Sequence, residues 1–391
     1  MKPWSLLFRP TGTVPVRQEL FTIQSLRGIA AAIVVLNHLQ FYQVKYFGKA
    51  AWLPSSMCVG EFGVDLFFVI SGFIMTYVTP RAFPDWRDQA AFLLRRFLRV
   101  YPVYWALAIP LIFIWLYDPK LINSHEGNEV NITTSLLLIP SRIPPVLGVA
   151  WTLIYEIYFY CIASLIFYFA GRWRILLISI WLLAIVASRV IHPGLFSFAC
   201  LNVWLSTLSF EFMAGMLLAH FIQNVSIRIS GLVASLLILL ALAAAFYNAV
   251  RHGRYVSDPF SNTRCFFYGL PALVTVGTVV QMEIQGQWSL VKSLVWLGDR
   301  SYSLYLVHLP ILSGFLLLAS RFIHHSGRLE ASLLILVVVV LLPIPMELCY
   351  RFVEKPSHLV ARHMASLASH PGRLHSKEAP LQNAVVSHPK V

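Results

Sequence analysis

Arg27 and His38 both lie in the first long apolar stretch of the chain, where neither side chain belongs in hydrocarbon. On a helix, eleven residues turn through about 1100°, roughly 20° beyond three full turns, so the two share a face about 16 Å apart along the axis. A cation near one end of that face and an imidazole deeper along it suit one side of a cavity. There an anionic group can be held, and a base that titrates near neutrality can move a proton. Each residue also has a plainer reading. The arginine can snorkel to lipid phosphates, and the histidine can be hydrogen-bonded inside a helix bundle.

Further ionisable residues interrupt apolar stretches at Asp65, Glu156, Glu211, His308 and Glu347. Such a group costs about 2.5–3.5 kcal/mol at the centre of a bilayer, so each is a functional candidate or a paired structural residue. Glu156 and Tyr160 are four apart on one helical face, one turn beyond Trp151-Thr152-Leu153. Ser301, Tyr305 and His308 fall at i, i+4 and i+7, with Tyr302 beside them. These positions line the acceptor side of a cavity or join helices by hydrogen bonds. Arg95, Arg96 and Arg99 precede Tyr101, Pro102, Tyr104 and Trp105. Read as a loop leading into a span, this cluster offers guanidinium groups suited to phosphates, although arginines and aromatics also anchor membrane edges.

The elements that must position these groups are membrane helices. Of the 391 residues, 58% are hydrophobic and 12% are charged, against about 25% charged in soluble domains. A soluble globular fold and a disordered chain are both excluded on these numbers. Ten spans are predicted, near 23–43, 60–79, 101–117, 150–170, 173–191, 203–222, 229–248, 264–282, 302–323 and 330–353. The fold class is therefore all-α, a polytopic membrane helix bundle. An even number of spans puts both termini on one side. That side carries 20 of the 30 Lys and Arg residues, which places it in the cytoplasm. The formal net charge of +13 follows from this topology, and no nucleic-acid partner is expected. The five cysteines have no metal-ligand spacing, so no metal is expected. Residues 1–20 read as a cytoplasmic segment too polar for a signal peptide, 21–356 as the membrane domain, and 357–391 as an unstructured cytoplasmic tail.

In order along the chain, several motifs resemble those of the acyltransferase 3 family of bacterial integral membrane O-acyltransferases. They are Ser25-Leu26-Arg27-Gly28 through His38, Gly63-Val64-Asp65-Leu66-Phe67-Phe68 through Phe73, and Arg95-Arg96-Phe97-Leu98-Arg99 through Pro102. Trp151-Thr152-Leu153 with Glu156, Phe159 and Tyr160 follows, then Gly298, Ser301, Tyr302, Tyr305 and His308, and last Glu354-Lys355-Pro356. The resemblance covers about residues 20–356. It implies transfer of an acyl group, most often acetyl from acetyl-CoA, to a hydroxyl of a cell-surface or lipid-linked glycan in the bacterial inner membrane. It also implies that His38 is the essential histidine, Arg27 its basic partner, and the Arg95, Arg96 and Arg99 group the acyl-donor motif. Thr152 stands where the family commonly has serine. No SGNH hydrolase-like domain follows the membrane part, which favours direct transfer over relay to a fused domain.

The expected chemistry combines these readings. Coenzyme A phosphates bind Arg95, Arg96 and Arg99, the pantetheine arm carries the thioester toward His38, and His38 takes the proton of the attacking hydroxyl. Arg27 and Glu156 assist at the reacting centre, while Asp65, Tyr160, Ser301, Tyr305 and His308 contact the substrate. Acyl-CoA is a substrate rather than a permanently bound cofactor. Direct transfer and an acyl-histidine intermediate both remain open. A glycolipid or polysaccharide flippase using the intramembrane His, Asp and Glu as a proton relay is the alternative from another class.

Overall fold

The computed structural model describes residues 9–10, 20–48, 53–79, 83, 85–122, 128–169, 172–191, 199–252, 262–288, 291–322 and 328–368. The first half of the chain forms α1 (Phe21–Phe47), a 3₁₀ turn (Ser55–Glu61), α2 (Phe62–Val78), α3 (Trp86–Tyr117), α4 (Ile132–Leu137), α5 (Trp151–Tyr168) and α6 (Arg172–Ile191). The second half adds α7 (Ala199–Trp204), α8 (Thr207–Asn224), α9 (Gly231–His252), α10 (Asn262–Arg264), α11 (Leu270–Ile284), α12 (Lys292–Asp299), α13 (Ser301–Phe322), α14 (Arg328–Leu341), α15 (Pro343–Cys349) and α16 (Lys355–Ala368). Wider π-helical turns, Cys265–Gly269 and Tyr350–Glu354, lead into α11 and α16. The extended structure among the described residues is a two-residue antiparallel ladder of β1 (Arg9–Pro10) and β2 (Val225–Ser226).

Among the described residues, eight helical runs are long and apolar enough to cross a membrane, against the ten expected. The two that fall short are both helical. The apolar part of α6 is only Trp173–Ser188. In α8, Glu211, His220, Gln223 and Asn224 interrupt the apolar sequence. The surroundings of α8 explain how it tolerates them, because Leu208, Phe212, Met213, Met216 and Ala219 are wholly buried against protein. Its main neighbour is α2, and the two backbones nearly touch. A Cβ on Gly72 would lie 1.9 Å from Phe212 O, and one on Gly215 would lie 2.1 Å from Val69 O. Small residues that let helices approach this closely replace a hydrophobic driving force within a membrane.

Helix ends are secured where the sequence offers donors or acceptors. Asp85 caps α3 by accepting from Arg87 N at 2.9 Å and Asp88 N at 3.1 Å. Leu20 cannot cap α1, and Glu283 of α11 serves instead, accepting from Phe21 N at 2.8 Å and Thr22 N at 3.0 Å. This contact and the β1–β2 ladder gather the start of α1 and the ends of α8 and α11 at one end of the bundle. Alternating spans require the same arrangement.

Two expectations are corrected here. The arginine cluster is not in a loop, because α3 begins at Trp86 and carries Arg95, Arg96 and Arg99 within one continuous helix. The unstructured tail does not begin at 357, because α16 runs to Ala368 and packs along α3. Ser357, Ala361 and Ala365 are buried, at i, i+4 and i+8, so small side chains form the contact face. Residues 369–391 lie outside the described residues.

Candidate active site

Helices α1, α2, α3, α5 and α13 line a cavity with about 800 Å³ of space between atoms, part of it open to solvent. Arg27, Arg96, Arg99, Thr152, Glu156, Tyr160, Ser301, Tyr302 and Tyr305 supply its polar lining, and Phe67, Phe68, Ile70, Ile74 and Phe159 much of its apolar wall. Four of the chain's helices thus bring together seven of the eleven residues singled out by sequence: Arg27, Arg96, Arg99, Glu156, Tyr160, Ser301 and Tyr305.

The arginine end is held by close packing. A Cβ on Gly298 of α12 would lie 1.9 Å from Gln24 O, so this short helix rests directly on the first turn of α1. Arg27 Nη1 donates to Gln24 Oε1 at 3.0 Å. Arg27 feels the like charge of Arg99 and the opposite charges of Glu354 and Glu156. At the end of α12, burial pushes the Asp299 carboxyl up, against the opposing pull of Arg27 and Arg300. Arg96 stands over the rings of Phe92 and Tyr160, at 5.4 and 5.5 Å from their centroids. The Tyr160 hydroxyl donates to Glu156 Oε1. Ser301 is fully buried, lines the cavity, and its Oγ has no protein partner.

Tyr302 and Glu354 were not singled out as site residues, yet both shape this end. The Tyr302 hydroxyl donates to Val100 O at 2.8 Å and so ties α13 to the arginine helix. The Glu354 carboxylate is buried at the π-helical turn and accepts from Ser303 N at 3.2 Å and Ser303 Oγ at 2.5 Å. It anchors the start of α13 and places a negative charge near Arg99 and Arg27. A π-turn has no sequence signature, so only the Glu354-Lys355-Pro356 motif could have pointed to this residue.

The histidines occupy the other end. Ser301 and His308 are about 10 Å apart along α13, and Arg27 and His38 about 16 Å along α1, so both helices carry a histidine away from the arginines. The Tyr305 hydroxyl lies 2.9 Å from Thr152 Oγ1, and both are within reach of Val149 O. Threonine in place of serine keeps this tether. The Tyr305 ring meets Phe67 at 5.8 Å and His308 at 5.9 Å between centroids, so the histidine pair stands immediately behind the Tyr305–Phe67 wall. His38 is partly buried beyond the lining residues, which corrects the expectation that it lines the same cavity as Arg27.

Hydrogen bonding selects one neutral arrangement of this pair. His308 is fully buried, its Nδ1 lies 3.2 Å from Leu304 O, and its Nε2 lies 3.2 Å from His38 Nδ1. His38 Nδ1 is also 3.0 Å from Val34 O. Carbonyl oxygens only accept, so both Nδ1 atoms carry the proton and His308 Nε2 accepts from His38. The lone pair of His38 is then on Nε2. His308, expected as a substrate contact, stands behind the cavity lining with its ring against His38 and Tyr305.

Three other intramembrane acids lie outside the cavity lining, in contacts between elements. Asp65, expected to contact substrate, is fully buried and pairs bidentately with Arg264, with Nε–Oδ1 at 3.1 Å and Nη2–Oδ2 at 2.7 Å. Glu61 stands 3.5 Å from the same guanidinium. The buried Glu211 carboxyl lies against Gly269, where a Cβ would come within 2.6 Å of Oε1. Arg264, 199 residues after Asp65, is buried in the bundle. Glu347 pairs with Arg300 and Arg351. Arg95 does not reach the cavity and lines an adjoining opening with Arg96 and Arg99. Among the described residues, no group of three or more His, Cys, Asp or Glu is placed to hold a metal ion.

Comparison with known proteins adds an independent line. A family model described as an acyltransferase domain matches residues 21–348. The exopolysaccharide production protein ExoZ of Rhizobium meliloti is 30% identical over 64% of this chain and 76% of its own length. The peptidoglycan O-acetyltransferase OatA of Listeria monocytogenes is 24% identical over 76% of this chain and 50% of its own length. A protein named as a putative peptidoglycan O-acetyltransferase, YrhL of Bacillus subtilis, is 25% identical over 85% of this chain and 54% of its own length. The chain thus spans about half the length of these two transferase relatives. No solved structure matches it significantly.

Proposed function

Because the chain belongs to the acyltransferase 3 family, we propose that it is a multi-pass membrane enzyme that moves an acyl group from a coenzyme A thioester to a glycan hydroxyl. The observation that carries this reading is the disposition of the site. Arginines stand at one end, a histidine with a defined basic nitrogen at the other, and an apolar-walled cavity runs from the first toward the second. The printed names of the relatives, one in exopolysaccharide production and two as peptidoglycan O-acetyltransferases, favour a cell-surface glycan as acceptor and acetyl as the group transferred. The cytoplasmic face is then the arginine end, where acyl-CoA is available, and the bacterial inner membrane is the site of action.

Each residue has a role that its position can support. Arg96 and Arg99 hold donor phosphates by charge-assisted hydrogen bonds, and Arg95 extends that site outward. The pantetheine arm crosses the cavity past Ser301, whose unpartnered hydroxyl can bond an amide of the arm, to bring the thioester to the Tyr305–Phe67 wall. His38 Nε2 removes the proton of the acceptor hydroxyl as its oxygen attacks the thioester carbonyl. The new C–O bond forms, the C–S bond breaks, and the imidazolium returns the proton to the leaving thiolate. Displacement of Phe67 or Tyr305 brings the thioester into contact with His38. Arg27 offsets negative charge on the donor, and Glu156 with Tyr160 keeps Arg96 and Arg99 aligned.

Mass spectrometry of surface and lipid-linked glycans tests this reading, using a host strain lacking the protein and complemented with wild type or equally abundant His38→Ala. Restoration of a defined sugar ester by wild type alone is the expected result. Unchanged ester content with altered glycan export would instead make the protein a flippase.

A further inference from the structure

The family match ends at residue 348, and α16 lies beyond it. This helix closes a second opening that shares Arg96 and Arg99 with the cavity and is lined as well by Arg95, His358 and Arg362. His358 and Arg362 are four apart, one turn along the same side of α16. Both adjoin the Ser357–Ala361–Ala365 stripe that seats this helix on α3. Five basic side chains from two helices therefore surround one space. Among the described residues, no carboxylate comes within ion-pair distance of the four arginines. His358 Nε2 is buried with no hydrogen-bond partner, and the imidazole feels the positive charges of Arg99, Arg27, Arg362 and Arg96.

We propose that α16 is a wall of the acyl-donor site, with His358 and Arg362 binding the phosphates of coenzyme A opposite Arg95, Arg96 and Arg99. The inference rests on the donor reading above and extends it to residues outside the matched domain. A phosphomonoester carries about 1.5 to 2 negative charges and a diphosphate bridge about two more, so the nucleotide end of coenzyme A matches four guanidinium groups with an imidazole beside them as a hydrogen-bond donor. The unpartnered His358 nitrogen gains the acceptor it lacks. Arg96 and Arg99 face both spaces, so phosphates on their outer side leave the thioester arm directed into the first cavity. The short side chains of Ala361 and Ala365 hold α16 close enough to α3 for one ligand to touch both helices.

Binding of coenzyme A and of 3′-dephospho-coenzyme A to the purified full chain in phosphatidylcholine nanodiscs tests the proposal. The variants are Arg362→Gln, His358→Gln, the pair together, Arg362→Lys and, as a reference, Arg99→Gln. His358 and Arg362 are not core residues, and recovery of affinity in Arg362→Lys reports that the fold is intact. Each single substitution is expected to raise Kd for coenzyme A about 5- to 10-fold, and the pair more than 20-fold. In turnover, KM for the thioester should rise by more than kcat falls. Unchanged affinity in the double variant, with a clear loss in Arg99→Gln, overturns the role of α16 and leaves the donor reading standing. No binding of coenzyme A to the wild type overturns both. If, in nanodiscs doped with phosphatidylglycerol, the double variant loses retention of that lipid while its affinity for coenzyme A is unchanged, the site belongs to lipid headgroups and the proposal fails.

Discussion

Among the described residues, Arg264 is the cation that Glu61, Asp65 and Glu211 share, and the consequences of removing it are unequal to those of removing its partners. With charge centres about 4 Å apart and an effective dielectric near 20, the Arg264–Asp65 attraction is about 4 kcal/mol. This agrees with the cost of about 3–5 kcal/mol for stranding one member of a buried pair. Arg264→Leu strands the fully buried Asp65 and takes the countercharge from Glu61 and Glu211, so it should be destabilised by the full amount. Asp65→Asn leaves Arg264 with Glu61 at 3.5 Å and Glu211 nearby, and should cost less than half as much. Asp65→Leu combined with Arg264→Leu removes the closest pair of charges and should recover part of the stability lost in Arg264→Leu, the remainder reflecting Glu61 and Glu211 left without their cation. Thermal unfolding of the purified variants in one detergent gives the order, and acyl transfer per folded molecule should stay near the wild-type value in Asp65→Asn. If Asp65→Asn abolished transfer with an unchanged unfolding midpoint, Asp65 would touch substrate and its assignment to the framework would be wrong.

Other substitutions probe separate parts of the account. His308→Ala removes one of the two acceptors facing His38 Nδ1–H, a neutral hydrogen bond worth about 0.5–1.5 kcal/mol, so kcat should fall about 2- to 13-fold with little change in donor affinity. A comparable loss in donor binding would place His308 in the donor site instead. Thr152→Ser keeps the hydroxyl that tethers Tyr305 and should retain transfer, whereas Thr152→Val should lower it; equal rates would remove the tether from the account. Gly72→Ala drives a Cβ into backbone 1.9 Å away on α8, and the yield of folded protein from membranes should drop sharply. Normal yield would mean that α2 and α8 can separate without loss.

The chemistry was legible in the sequence where it resided in residue types. Charged side chains in apolar helices stand out because hydrocarbon penalises them, which drew attention to Arg27, His38, Glu156 and the α3 arginines. Helical spacing correctly placed Ser301 and Tyr305 on one face of α13 and led from there to His308. Pairing across the bundle was not legible. His38 and His308 are 270 residues apart, and Asp65 and Arg264 are 199 apart, so no local pattern distinguished a histidine behind the cavity lining from a substrate contact or a framework acid from a catalytic one. Composition misled at both ends of the arginine site. Arg95, Arg96 and Arg99 read as a polar loop although the good helix formers around them continue α3 back to Trp86. In α16, the scattered serines and histidines and Pro356 hid a stripe of small residues that needs only a neighbouring helix to become buried.

The most direct test of the central claim follows labelled acetyl-CoA through the purified protein and His38→Ala in nanodiscs, with coenzyme A binding and thiol release measured on the same samples in the presence of a glycan acceptor. Wild type should bind the donor and release thiol at a rate that declines on acidification, because a protonated imidazole has no lone pair to offer. His38→Ala should bind the donor equally well and release no thiol above background. Thiol release and ester formation by His38→Ala at the wild-type rate would contradict the account, because the histidine pair behind Tyr305 would then have no part in the chemistry.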